Sequence, residues 1–262
     1  PSDIHDTNLR GIETDDVLWF FRTLDGPFAW AYFFAWQDDW GSALCRREMG
    51  VEGLTAADRE RFWQYYEECW RRNLAYKKAN RILAKTSMLT FRLDELLKRY
   101  PDAKLVYIVR DPVEVIPSGM SLVSGVLDNG YDAWNHTNEA DQQRWVENLY
   151  QASCEMLRSF HDAYTSGRIP EKNLCVVRYT DLLQNLEPTI ERILDFVDIE
   201  PSPEFVAEVR AQAERQRTYQ SRHQHSPEKF ALDPERIRRD LAFVYETFDL
   251  PIEPAQTAAG PQ

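Results

Sequence analysis

The chain has 262 residues, of which 43% are hydrophobic and 13% aromatic, and its formal net charge is −12 at pH 7. This length suits one α/β domain with a sizeable core and excludes wholesale disorder. The negative charge excludes a general nucleic-acid binder, because affinity for a phosphate backbone needs a broad excess of Lys and Arg. We therefore expect one domain over residues 1–250 and a flexible tail over residues 251–262.

The hydrophobic residues are not arranged as a membrane span, since no run approaches the roughly 20 apolar residues that a bilayer-crossing helix needs. The four cysteines are widely spaced, with no CxxC pair and no zinc-type spacing to histidine. Buried free thiols are the simplest interpretation, so we expect no metal. This cysteine usage favours a reducing, cytoplasmic compartment and leaves the oligomeric state open.

The first part of the chain is predicted to be largely helical. An aromatic and acidic region carries a helix from about residue 15 to residue 36. Thr55 is a candidate N-cap for a second helix that ends near Asn80, in which apolar residues recur at helical spacing. One face of this second helix is therefore expected to be buried.

A short apolar segment follows over residues 82–84 and is interpreted as the end of a strand. It leads directly into the polar tripeptide Lys85 to Ser87, and a helix is predicted over residues 89–99. Polar residues at a strand end are candidates for ligand binding, because ligands of parallel sheets bind at the carboxyl ends of strands.

Two further apolar runs rich in β-branched residues predict parallel strands buried on both faces. They are residues 104–109 (KLVYIV) and 174–177 (LCVV), and helices are predicted between and around them. Arg110 follows the first run, and Arg178 with Tyr179 follows the second. This alternation predicts an α/β fold with a parallel sheet flanked by helices.

The helices around these strands have recognisable boundaries. Asp111 and Pro112 are typical of an N-cap and a first helical residue, and they open a helix to about residue 127. A polar, flexible stretch over residues 128–138 then precedes a long helix over residues 139–165. Later elements are predicted as a helix with apolar residues in register between 188 and 197, a polar helix over 203–218, a basic loop over 219–232 and a final helix over 234–248.

The strongest candidate site begins at Arg110. A guanidinium offers a planar fork of donors to a phosphate, and Ser118, roughly two turns into the following helix, adds a hydroxyl beside the positive N-terminus of that helix. These residue types suit a phosphate monoester. The alternative is that Arg110 pairs with a carboxylate at the edge of the sheet and that Ser118 only fills a helix position.

The segment RDPVEVIPS, residues 110–118, resembles the 3′-phosphate-binding segment of sulfotransferases that use 3′-phosphoadenosine 5′-phosphosulfate (PAPS). That segment has Arg, then Asn/Asp-Pro, then Ser eight positions after the Arg. The stretches LDELLKRYPDAK, VRYTDLLQNLEPTIERILDFVDI and SRHQHSPEKFALD match the same family in order, so that the resemblance covers about residues 82–250. It implies a P-loop NTPase-like sulfotransferase fold.

The resemblance also implies roles for individual residues. Arg110 and Ser118 would bind the 3′-phosphate of the nucleotide, and Lys85 would be the catalytic lysine that neutralises charge on the leaving phosphate. Tyr179 would contact the adenine, although a core tyrosine that caps the strand is an equal alternative. Arg222 or His223 would lie near the phosphates, in a loop that closes over the nucleotide, unless that loop is merely solvated.

Two features depart from the family pattern. Residues 1–60 contain no basic Gly/Ser/Thr-rich turn after a strand, the P-loop-like turn that grips the 5′-phosphosulfate. We therefore expect either a segment upstream of Pro1 or a chain that cannot hold the donor normally. Ser87 and Leu89 stand where many relatives have a histidine base, which leaves His5, His136 or an acidic residue as candidates.

The function implied by the resemblance is transfer of a sulfuryl group from PAPS to a hydroxyl or amine of a small, apolar acceptor, with 3′-phosphoadenosine 5′-phosphate (PAP) as product. The aromatic cluster between Trp19 and Trp40, with Trp63 and Trp70, is a hypothetical wall of the acceptor pocket. One alternative is a nucleotide-binding module without catalysis, or one piece of a split enzyme. Another alternative is the same fold acting on a diphosphate substrate.

Overall fold

The computed structural model describes residues 29–37, 39–85, 87–218 and 230–252. The chain divides into two compact units, one of residues 1–92 with 120–159 and the other of residues 93–119 with 160–262. The single domain over residues 1–250 that we expect from the sequence stays a prediction.

The described part of the chain is mostly helical, with one small sheet. Its two strands are β1 (Leu105–Val109) and β2 (Leu174–Arg178). Its α-helices are α1 (Ala43–Glu48), α2 (Ala56–Lys77), α3 (Leu93–Arg99), α4 (Pro112–Tyr131), α5 (Ala133–His136), α6 (Glu139–Thr165), α7 (Tyr179–Gln184), α8 (Leu186–Phe196), α9 (Pro203–Thr218), α10 (Pro234–Asp240) and α11 (Ala242–Phe248). A π-helix over Trp30–Phe34 and 3-10 turns over Ser87–Arg92 and Glu171–Asn173 complete the order.

The sheet lies in the second unit and confirms the predicted parallel pair. β1 and β2 pair in parallel from Leu105 opposite Leu174 to Val109 opposite Arg178. Because the two strands end at the same level, the residues that follow them leave the same edge of the sheet. The register therefore brings Arg110 and Tyr179 to neighbouring strand ends.

In the described part of the chain, the side chains of β1 are covered on one face and exposed on the other, which differs from the two buried faces that the sequence predicts. On the covered face the ring of Tyr107 stacks on Phe160 of α6, with centroids 3.4 Å apart, and burial raises the pKa of Tyr107 to about 12. On the other face Val106 is exposed and Ile108 is 50% exposed. Because an apolar run does not reveal what packs against it, it predicts a strand more reliably than it predicts two covering layers.

Three predicted elements need correction. Residues 82–84 form no strand, and Leu83 is 97% exposed. Residues 128–138 are mostly helical, because α4 continues to Tyr131 and α5 follows. The final helix is interrupted at Leu241, where the backbone leaves the helical region between α10 and α11. An apolar triplet is too short to specify a strand without a partner to pair with.

The first unit has an aromatic core among its described residues. Trp30 is 1% exposed, and Trp63 and Trp145 are equally buried. The indole of Trp30 donates to Cys45 Sγ at 3.1 Å, and that of Trp145 donates to the carbonyl of Ala31 at 3.0 Å. Trp30 and Trp63 therefore lie in the interior of this unit, and the hypothesis that the cluster lines an acceptor pocket stays a prediction.

Asn173, a buried residue that is 2% exposed, links the start of β2 to the start of β1. Its amide donates to the carbonyls of Pro101 and Ala103, each at 2.8 Å, in the turn that leads into β1. Since Asn173 itself leads into β2, these two hydrogen bonds hold the two strands at their common starting level.

We predict that Asn173→Ala lowers the free energy of unfolding by about 2 kcal/mol, because two hydrogen bonds are lost and their carbonyl acceptors are left without these donors. Urea unfolding followed by circular dichroism measures the change. Lys172→Ala, an exposed substitution one residue earlier, serves as the control and should stay within about 0.5 kcal/mol of the wild type. Equal stability of Asn173→Ala and wild type would contradict this role.

Candidate functional site

The carboxyl edge of the sheet brings two predicted site residues together. Arg110 follows β1 and Tyr179 opens α7 directly after β2. The guanidinium carbon of Arg110 lies 4.6 Å from the centroid of the Tyr179 ring, a cation–π contact. The aromatic ring thus holds the guanidinium at the strand end. Tyr179 orients Arg110 in this way whether or not the tyrosine also contacts an adenine.

Arg110 also makes the carboxylate pair that the sequence left open as an alternative. Its Nε donates to Glu114 Oε2 at 2.8 Å, one helical turn along the chain. The arginine side chain is 29% exposed and that of Glu114 is 56% exposed, so this pair contributes only about 0.3–0.5 kcal/mol. The two terminal guanidinium nitrogens have no hydrogen-bond partner among the described residues. Arg110 therefore keeps its outer fork available for an anion.

Asp111 confirms the predicted start of α4. Its side chain accepts from the backbone N–H of Val113 at 2.8 Å, and its carbonyl accepts from Glu114 at 3.0 Å and Val115 at 2.9 Å. Pro112 has no N–H to offer. The first N–H groups of α4 are thus taken by Asp111, which means that an anion here would depend on side chains more than on free backbone donors of the helix.

The same carboxylate oxygen of Asp111 receives a second hydrogen bond. The hydroxyl of Tyr245, on α11, donates to Asp111 Oδ1 at 2.5 Å. Burial raises the pKa of the Tyr245 hydroxyl, and the hydrogen bond to the Asp111 carboxylate raises it further, so the tyrosine stays protonated as a donor. No sequence signal connects two residues that lie 134 positions apart.

Two neighbours of Tyr245 reach the same part of the sheet. The ring of Phe248 lies 6.0 Å from that of Tyr107 in β1. The carboxylate of Asp249 pairs with Arg178, the last residue of β2, at 3.1 Å. The end of α11 and the residue after it therefore lie beside the middle of β1 and the carboxyl end of β2.

Ser118 lies on α4 directly after Pro117, which interrupts the hydrogen-bond ladder because proline has no N–H. Its side chain is half-buried, and its hydroxyl makes no hydrogen bond within the described ranges. Ser118 is thus able to donate to a ligand. Whether it shares an anion with Arg110 stays a prediction.

The other predicted site residues are placed differently. Lys85 is exposed and lies in the first unit, in irregular backbone before the 3-10 turn. Arg222 and His223 lie outside the described residues, as does His5. His136, at the end of α5, is exposed beside Asp132, with 3.6 Å between His136 Nε2 and Asp132 Oδ2. Nothing in these positions tests their predicted roles.

Comparison with known proteins adds an independent observation. A model described as the sulfotransferase family matches residues 31–204, well over half of the chain. The chain belongs to the sulfotransferase family. The match confirms the family predicted from the sequence, and the mainly helical fold with a small parallel sheet agrees with an α/β sulfotransferase fold.

The range matched by the family model includes Lys85, Arg110, Ser118 and Tyr179. It ends before α10 and α11. No curated protein and no solved structure matched the chain.

In the described part of the chain, no three or more His, Cys, Asp or Glu side chains are grouped as a metal ion would require. No helix of the described ranges combines the length and apolar character needed to cross a membrane.

We predict that Glu114→Gln tightens the binding of PAP about threefold to tenfold at low salt. The substitution removes a negative charge beside the guanidinium, and this charge would repel an incoming phosphate. Isothermal titration calorimetry measures the dissociation constant.

A matched control is Asp94→Asn, which breaks the exposed pair between Asp94 and Arg168 in the same unit and should leave PAP binding unchanged. Weaker binding by Glu114→Gln would show instead that Glu114 orients Arg110 productively.

Proposed function

We propose that this sulfotransferase uses PAPS as its donor and holds the 3′-phosphate of the nucleotide with Arg110 and Ser118. The observation that carries the proposal is the state of Arg110. This arginine leaves a strand end with its outer fork without a hydrogen-bond partner in the described chain, in a protein whose family transfers sulfo groups.

The chemistry of this edge suits a phosphate. Two terminal guanidinium nitrogens give a planar pair of donors, and a serine hydroxyl gives one more. Tyr179 limits the freedom of the guanidinium from one side, so less side-chain entropy is lost when an anion binds. Because the net charge of the chain is −12, a guanidinium that is available to an anion stands out against the rest of the sequence.

In the proposed reaction, an oxygen or nitrogen of a small acceptor attacks the sulfur of PAPS. A bond from the acceptor to sulfur forms as the bond from sulfur to the bridging phosphate oxygen breaks, the acceptor's proton passes to a base, and PAP leaves. Lys85 is proposed to neutralise the charge that develops on the leaving phosphate. Arg222 and His223 are proposed to approach the phosphates, and Tyr179 the adenine.

Arg110→Ala is expected to weaken PAP binding by at least about 30-fold, because a charge-assisted pair of hydrogen bonds is lost. Arg110→Lys should recover only part of the affinity, since an ammonium lacks the planar fork. Calorimetric titration with PAP provides the measurement.

The matched control is Arg168→Ala, which removes another partly exposed, ion-paired arginine of the second unit. If wild type and Arg110→Ala bind PAP equally, or if neither binds, the proposed site is wrong.

Lys85→Ala is expected to lower kcat about 100-fold or more while the dissociation constant of PAP changes little, because its charge is needed mainly as the bond to sulfur breaks. Transfer of radiolabelled sulfate from PAPS to a panel of hydroxyl and amine acceptors gives the rate. Lys104→Ala, an exposed lysine at the start of β1, is the control.

PAP binding by wild type without any turnover would favour the alternative of a nucleotide-binding module. Product formation that does not need PAPS would favour the diphosphate alternative.

A further inference from the structure

We propose that Tyr245 is a positioning residue for the phosphate site, acting through Asp111 to fix the turn that presents Arg110. The proposal extends the proposed function to a helix outside the range matched by the family model, which ends at residue 204. The juxtaposition that carries it is the hydrogen bond from the Tyr245 hydroxyl on α11 to the carboxylate of the residue next to Arg110.

Tyr245 is well suited to hold Asp111 in one orientation. The tyrosine is 4% exposed, so its ring is fixed by packing and its hydroxyl has little freedom to turn to water. Its 2.5 Å contact with Asp111 Oδ1 is in the short range of charge-assisted hydrogen bonds. Leaving this buried donor without its acceptor would cost free energy. The hydrogen bond therefore couples the position of the Asp111 carboxylate to that of α11.

Asp111 in turn determines the path of the backbone at the strand end. Its carboxylate caps Val113, and its carbonyl accepts from Glu114 and Val115. With the Tyr245 bond added, the residue that links β1 to α4 is held on both sides. Because Arg110 shares a peptide bond with Asp111, a change in the backbone path at Asp111 re-aims the Arg110 side chain.

The rest of α11 supports the same interpretation. Phe248 approaches Tyr107 of β1, and Asp249 pairs with Arg178 at the end of β2. Val244, Tyr245 and Phe248 are all buried, so Tyr245 lies on a helix that is held by packing rather than on a segment free to follow the turn. A positioning residue must be attached to something more rigid than the group it positions.

The test compares Tyr245→Phe with Thr247→Val. Each removes one hydroxyl from α11. Tyr245 donates to Asp111, whereas Thr247 is 3.0 Å from His161 Nε2 and does not reach the strand-end turn. Thermal unfolding reports the stability cost of each substitution, so a general loosening of α11 appears in both variants. Calorimetry with PAP, repeated for Asp111→Ala and for Asp111→Ala with Tyr245→Phe, measures affinity.

A second readout needs no ligand. The Nε–H resonance of Arg110, assigned by its loss in Arg110→Lys, reports the environment of the guanidinium in the full chain. We expect Tyr245→Phe to shift this resonance and to weaken PAP binding about fivefold, the amount expected for one net hydrogen bond. Thr247→Val should do neither, and Tyr245→Phe should add nothing once Asp111 is alanine.

The proposal is overturned if Tyr245→Phe leaves both the Arg110 resonance and the affinity unchanged. It is also overturned if Thr247→Val weakens binding as much, or if Tyr245→Phe weakens binding equally in the Asp111→Ala background. Should wild type not bind PAP, the proposed function falls, and the resonance alone decides: a shift confined to Tyr245→Phe supports positioning, and no shift refutes it.

Discussion

Parallel strands cannot be joined by a tight turn, so the pair β1 and β2 requires a long crossover, and residues 110–173 supply it. Because both strands then run the same way, both of their carboxyl ends lie at one edge. That single constraint brings Arg110 and Tyr179 together although they are far apart in sequence. The remaining features of the site depend on it, since neither residue would otherwise have a partner across the edge.

At this edge, nearby carboxylates and an incoming anion would compete for the guanidinium of Arg110. The chain has an excess of carboxylates, with a net charge of −12, and two of them, Asp111 and Glu114, lie within four residues of Arg110. Asp111 is directed to the backbone and to Tyr245, so it competes little for the guanidinium. Glu114 does compete, but only for Nε and from an exposed position where water weakens the attraction. The outer fork remains the group with most to gain from an anion.

Sequence reasoning succeeded where the cause was local. The caps at Thr55 and Asp111 and the bounds of α6 and α9 all follow from side chains within a few residues of each other. The family was also recognisable, because several short motifs occur in a fixed order. The spacing between Arg110 and Glu114 is that of neighbours on a helix, so this pair could have been named in advance.

The failures have a common physical origin in contacts between distant segments. An apolar segment becomes a strand only when another strand pairs with it, which is why residues 82–84 looked like β1 but differ from it. The exposure of Val106 and Ile108 likewise depends on what packs against β1 in three dimensions. The hydrogen bond from Tyr245 to Asp111 joins residues whose separation leaves no periodic trace in the sequence.

The amide of Asn173 gives the strand pairing a consequence that reaches beyond stability. It holds the two strands in register at their amino ends. Five residues of strand span about 16 Å, which separates this asparagine from the carboxyl edge of the sheet. A slip of one residue there would turn every side chain of one strand to the other face and carry Tyr179 away from the guanidinium. We therefore expect a substitution of this remote asparagine to resemble a defect in the proposed phosphate site, although the altered amide lies at the other end of the strands.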